Sequence, residues 1–371
     1  MAQGDLLYQV GLTLVEGVGD VWAKNLLAYC GSAKEIFEAK KPQLLKIPGI
    51  GEGLANTIIK QKNILKDAEK ELRFIEEKNI TPLFFTDENY PQRLKYCTDS
   101  PILLYYKGNA DLNAQKIVAV VGTRQPSEYG REQTEKFINE LKGTGILVVS
   151  GLAYGIDVLA HKKALDNDLD TVGVVAHGLD RMYPQLHTGI SMKMQKQGGI
   201  LTDFRSGTKP DAVNFPKRNR IVAGMCDALV VMESKRDGGS LITATIANSY
   251  NKDVFAFPGR VNDPLSEGCN GFIKSHKASL MESAADLFYI MGWETETKAK
   301  KKKTKQIPLL LNLSDDEQKI VDAFAGKKEL HMDEISYVSG FPISKVAAVL
   351  LQLEFSNIIR SHPGKMYSIT N

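Results

Sequence analysis

The chain has 371 residues, with 47 Lys and Arg against 44 Asp and Glu, a formal net charge of +3, and 43% hydrophobic and 25% charged residues. That length suits two or three domains, each able to bury its own core. The composition excludes a disordered tail, a collagenous repeat and a strongly basic DNA-packaging protein.

Residues 1–71 carry one signal twice. Gly17 and Gly19 in VEGVGDVWAKNLL, and Pro48, Gly49, Gly51 and Gly53 in IPGIGEGLANTII, each form a glycine turn followed by apolar residues at helical spacing. Such a turn leaves the next helix's N–H groups free to face a phosphate, the pattern of a tandem helix-hairpin-helix (SAM-like) module. Turns that only join packed helices read the same way, and few lysines flank these. Residues 72–113 are rich in turn residues and aromatics and read as a lead-in segment packed on the next domain, with Tyr90-Pro91 and Pro101 fixing extended turns.

Residues 114–291 alternate short β-branched runs with helical stretches. The predicted strands are 117–122, 146–150, 171–176, 200–202, 228–232 and 254–258. Near-continuous apolar strands between helices argue an α/β fold with a Rossmann-like, mostly parallel sheet covered on both faces. Residues 292–312 hold Lys298, Lys300, Lys301, Lys302, Lys303 and Lys305 with no acid and only Ala299 and Thr304 between them, a solvated linker or a DNA-gripping patch, and a domain boundary in both cases. Without these six lysines the rest of the chain is at −3. Residues 313–371 open on a capping box at Ser314 and Glu317, continue through three short helices and end in a hairpin turning at Pro363-Gly364, a winged helix-turn-helix. This module is net acidic, with 6 basic and 8 acidic residues over 314–371, which favours a protein contact over duplex reading by its helix 343–356.

Cys30, Cys97, Cys226 and Cys269 lack zinc or disulfide-scaffold spacing and read as buried thiols in a reducing compartment. With no signal segment and no apolar run of eighteen residues, a cytosolic, soluble protein without membrane insertion is expected.

Ligands of open parallel sheets bind beyond the carboxyl ends of the strands, where this chain is unusually loaded. Gly122, Thr123 and Arg124 follow the first strand, and the loop from Ser150 and Gly151 to Gly155 follows the second. Backbone N–H groups, helix N-termini and a guanidinium there suit phosphate oxygens. Phe215, Lys217, Arg218, Asn219 and Arg220 form the densest basic cluster of the domain, with an aromatic face for a base, and Ser240 opens a further helix N-terminus. The plain structural alternative for this cluster is a core Phe215 and an internal ion pair of Arg218 with Asp203 or Asp227. There is no G-x-G-x-x-G after Gly122 and no Walker loop, so no nucleotide cofactor is expected, and no metal. His161, His177 and His187 read as buried or capping histidines.

In this order, VGTRQPSEYG, SGLAYGIDVLAH, GLDRMYPQ, FPKRNRIVAG, GGSLITA and VFAFPGRVNDPLSEGCNGFIKS resemble the DNA-processing protein A family, DprA or Smf. The resemblance implies a non-enzymatic protein that binds single-stranded DNA, dimerises, and loads the recombinase RecA in natural transformation and related recombination. Carried over by motif, Gly122, Thr123, Arg124, the Ser150 to Gly155 loop, Phe215, Arg218, Asn219 and Arg220 would form the DNA groove. Three features depart from the family pattern: His187, Gly238-Gly239-Ser240 and SHKASL. The alternative, a phosphoribohydrolase-like nucleotide-processing enzyme, lacks its Pro-Gly-Gly-x-Gly-Thr loop.

Overall fold

The computed structural model describes residues 3–60, 63–293, 313–324, 327, 329–356, 358–362 and 365–369. They fall into two compact units, Met1–Glu296 and Thr297–Asn371. The lysine-rich run lies outside the described residues.

The first unit begins with six helices: α1 (Gln3–Thr13), α2 (Asp20–Cys30), α3 (Ala33–Glu38), α4 (Lys41–Leu44), α5 (Glu52–Lys60) and α6 (Ile64–Glu77). Both glycine turns need glycine: Gly17 and Gly49 have φ of 81° and 83°, and a side chain on Gly49 would enter the Trp22 ring. Leu26, Ile36, Leu44 and Ala55 form the core of this module.

β1 (Thr81–Phe84), α7 (Gln92–Lys95) and β2 (Leu103–Gly108) follow. The segment expected as a lead-in is therefore part of the sheet: β1 pairs antiparallel with β2, and β2 with the strand at 198–202. β2 is buried on both faces. Leu104 and Tyr106 join the core of the sheet, while Leu103 and Tyr105 join that of the helical module. Each large side chain so buried contributes about 1.5–3 kcal/mol, so the module is welded to the sheet edge. Glu71 of α6 is buried and accepts from the Ser206 N–H at 2.8 Å and from the Ser206 hydroxyl.

The remaining strands are β3 (Ile117–Val121), β4 (Leu147–Ser150), β5 (Thr171–Val174), β6 (Gly198–Thr202), β7 (Ala228–Val231), β8 (Asp253–Ala256) and β9 (Ser279–Leu280). All seven run parallel, in the order β1-β2-β6-β5-β4-β3-β7-β8-β9. Between them lie α8 (Glu128–Glu140), α9 (Ile156–Asp166), α10 (Thr188–Met194), α11 (Asn214–Met225), α12 (Gly239–Ser249) and α13 (Glu267–Lys274), and α14 (Ala284–Ile290) follows β9. The pleat sorts β3 cleanly: Ala119 and Val121 pack with Val222 of α11 and Ala244 of α12, while Val118 and Val120 pack with Phe137 of α8 and Ala160 of α9. Cys97, Cys226 and Cys269 are buried and Cys30 half-buried, and burial pushes the Cys226 and Cys269 thiols up to about 12.

The second unit holds α15 (Asp315–Asp322), β10 (Leu330–His331), α16 (Met332–Ser339), α17 (Ile343–Phe355), β11 (Ile359–His362) and β12 (Met366–Ile369), with an antiparallel sheet in the order β10-β12-β11. Ile320, Ile335, Val346, Leu350 and Leu353 form its core, and Ser314 and Glu317 form the expected capping box. The Pro363-Gly364 turn lies outside the described residues. Lys345 of α17 is 2.8 Å from Asp316, and Glu354 accepts from Ser361.

Candidate nucleic-acid interface

The strand order turns back at β3. From β3 to β6 successive strands step outward on one side, and from β7 to β9 on the other. The carboxyl ends of β3 and β7 therefore flank a crevice, because the helices that leave them, α8 and α12, pack on opposite faces of the sheet. A cleft of about 930 Å³ opens there, walled by Gly122–Gln125 after β3, Gly151 and Ala153 after β4, the first turns of α11, and Lys235–Ser240 after β7.

Glu233 holds two of these loops together. It is buried, its backbone C=O accepts from the Thr123 N–H at 2.8 Å, and its carboxylate accepts from the Ser127 N–H at 2.8 Å and from the Ser127 hydroxyl. Ser127 in turn caps α8 by accepting from the Gly130 N–H. Gly155 has φ of 78°, and any side chain there would overlap the Thr123 carbonyl and the Arg124 backbone. Only glycine lets the loops after β3 and β4 meet so closely.

Arg218 is the centre of the cleft floor. It is 5% exposed, its Nη1 donates to the Val174 carbonyl, and its Nε is buried with no partner among the described residues. A side chain at Gly151 would collide with both Arg218 and Asp157. Burial pushes the Asp157 carboxyl up, against the pull of Arg218, and pushes the Arg218 guanidinium down, against the pull of Asp157. Above them Arg124 is exposed, its guanidinium 5.3 Å from the centre of the Phe215 ring, and Phe215 lies 6.1 Å from Tyr183. A guanidinium over one aromatic and a second aromatic beside it offer a charge and stacking faces together.

Two buried imidazoles steady the loop after β4. His161 Nε2 is 2.6 Å from the Gly151 carbonyl and its Nδ1 is 2.7 Å from Thr171 Oγ1, while His187 Nδ1 is 2.9 Å from the Leu152 carbonyl. Burial pushes His161 down to about 4. The unfolded chain takes up this proton near pH 6.5, the folded chain only near pH 4, so the contribution is complete above pH 6.5 and is lost as pH falls toward 4. It amounts to about 3 kcal/mol. Guanidinium unfolding between pH 7 and 4.5 is expected to show this slope, and His161→Gln to remove that share of it. Equal slopes for both proteins would show that His161 does not stay neutral.

The expected site residues separate in the structure. Gly122, Thr123, Arg124, Gly151, Phe215, Arg218, Asn219 and Ser240 all line the cleft. Ser240 is buried and donates to Ser234 Oγ at 2.9 Å. Ser150 is fully buried and donates to the Val120 carbonyl at 2.5 Å, tying β4 to β3, and Gly155 sits at the edge beside a neighbouring groove. Lys217 is exposed outside the cleft. Arg220 is not among the residues lining the cleft: it pairs with Asp203 at 2.7 Å and with Asp20 of α2 at 3.0 Å, and donates to the Asp99 carbonyl. The ion pairs weighed for Arg218 are thus made by others, Arg220 with Asp203 and Arg93 with Asp227 at 2.5 Å. Lys235 and Arg236 line the cleft and were missed, although the strand-end rule applied to ALVVMESKRDGG would have found them.

Comparison with known proteins settles the family. The model for DNA recombination-mediator protein A matches residues 81–292, that for the DprA winged helix domain 304–365, and that for the SAM-like helix-hairpin-helix tandem 11–61. The chain belongs to the DprA/Smf family. Protein Smf of Synechocystis is 30% identical over 99% of both chains. The X-ray structure of DprA from Streptococcus pneumoniae superposes with a TM-score of 0.68 at 33% identity, covering 76% of this chain and 97% of that one. A DprA structure from Helicobacter pylori, described for its single-stranded DNA binding mode, gives 0.52 at 28% identity, covering 57% and 95%.

Proposed function

We propose that this DprA-family chain binds single-stranded DNA in the switch-point cleft, without cleaving it, shields the strand, and loads a RecA-type recombinase on it as a homodimer in natural transformation and recombination. The paired guanidinium groups of Arg218 and Arg124 are the observation that carries the DNA part: one lines the floor of the cleft and the other stands exposed beside the Phe215 ring, an arrangement that suits phosphate oxygens. Arg124, Lys235 and Arg236 at the rim track further phosphates, and Phe215 and Tyr183 offer faces to bases. The recombinase and dimer parts rest on family membership.

The test is anisotropy of labelled oligo-dT and of a duplex, titrated side by side over a range of salt. Single strands are expected to bind more tightly, with affinity falling as salt rises. Arg124→Ala is expected to cost about tenfold and to flatten the salt slope by about 0.7, the loss of one phosphate contact. Tighter binding to duplex, or an unchanged slope, would sink the assignment.

A further inference from the structure

Beyond the rim of the cleft a second groove of about 390 Å³ runs between α8 and α9, and Arg124 lines both. Its floor includes Val158 and Leu159, and Tyr154, 46% exposed, stands at its head with its ring 5.2 Å from that of His187 and steeply inclined to it. Arg131 and Lys162 are exposed along its sides and form no ion pair with any described residue. Its one acid, Glu135, is neutralised by Lys163 at 3.1 Å. The groove therefore combines an apolar floor, a free aromatic face and a net positive rim, a chemistry that matches the bases and phosphates of one strand.

We propose that a single strand leaving the cleft crosses the low wall at Gly155 and continues into this groove, its bases toward Tyr154, Val158 and Leu159 and its phosphates toward Arg131 and Lys162. This rests on the cleft itself binding single-stranded DNA. Gly155 makes the crossing passable, because it adds no side chain between the two spaces.

The test uses the full chain with oligo-dT of about 6 and about 20 nucleotides, a short strand that the cleft accommodates and a long one that overruns it. Arg131→Ala/Lys162→Ala is expected to bind the short strand as the parent does, and to lose about tenfold on the long one, with a salt slope shallower by about 1.4 for two lost phosphate contacts. Equal losses at both lengths, or none on the long strand, would overturn the extended path while leaving the cleft as the binding site. A parent protein that binds neither strand would overturn both readings together. Loss of poly-glutamate binding with both oligonucleotides unaffected would assign the groove to an acidic protein segment instead.

Discussion

Arg218→Met is expected to lose binding of single-stranded DNA by about thirtyfold and stability by about 3 kcal/mol. The two losses have different sources. Binding falls because the guanidinium charge lining the cleft floor is gone. Stability falls because Asp157, buried in the first turn of α9, loses the stronger of the two guanidinium charges, Arg218 and Arg124, that pull its carboxyl back down. In the variant Asp157 rises further, so its neutral form is favoured and stability should fall as pH rises through that raised value, opposite to the His161 effect. Adding Asp157→Asn should restore most of the stability and none of the binding. Denaturant unfolding and anisotropy on the single and double variants separate the two. Recovery of binding in the double variant would show that Arg218 only supports the fold.

Arg220→Ala should do the reverse, costing about 3–5 kcal/mol while folded protein keeps its affinity for DNA. Its guanidinium joins Asp203, beyond β6, to Asp20, which also accepts from the Ile102 N–H at 2.9 Å. Removing it leaves two carboxylates facing each other at the seam between the helical module and the sheet, one of them, Asp203, already pushed up by burial. Urea midpoints measure the first effect, and anisotropy well below the transition the second. A variant of normal stability that has lost DNA would return Arg220 to the groove.

The contrast between these neighbours explains what the sequence could convey. FPKRNR reads as one basic cluster, yet it opens α11, and at 100° per residue Arg218 and Arg220 point to different sides. Phe215, Arg218, Asn219 and Val222 share the face that lines the cleft, the spacing of one helix stripe. Taking the cluster as one set of cations mixes that face with the one turned toward Asp20. The parallel strands β3 to β8 were legible because both their faces are buried, which makes their sequences continuously apolar. β1 and β2 were not, because the turn residues around Tyr90 and Pro101 dominate their surroundings. Asp157 and Glu233 carry no local signal at all: their roles arise only where distant loops are brought together.

Those two carboxylates have a consequence for the company the protein keeps. Asp157 and Glu233 lie beneath loops whose rim bears Arg124, Lys235 and Arg236, so the cleft presents closely spaced charges of both signs. The potential of such an arrangement decays with distance faster than that of cations alone, and a formal charge of only +3 adds little at long range. In the proposed reading, attraction into the cleft becomes appreciable only at contact with the strand that enters it.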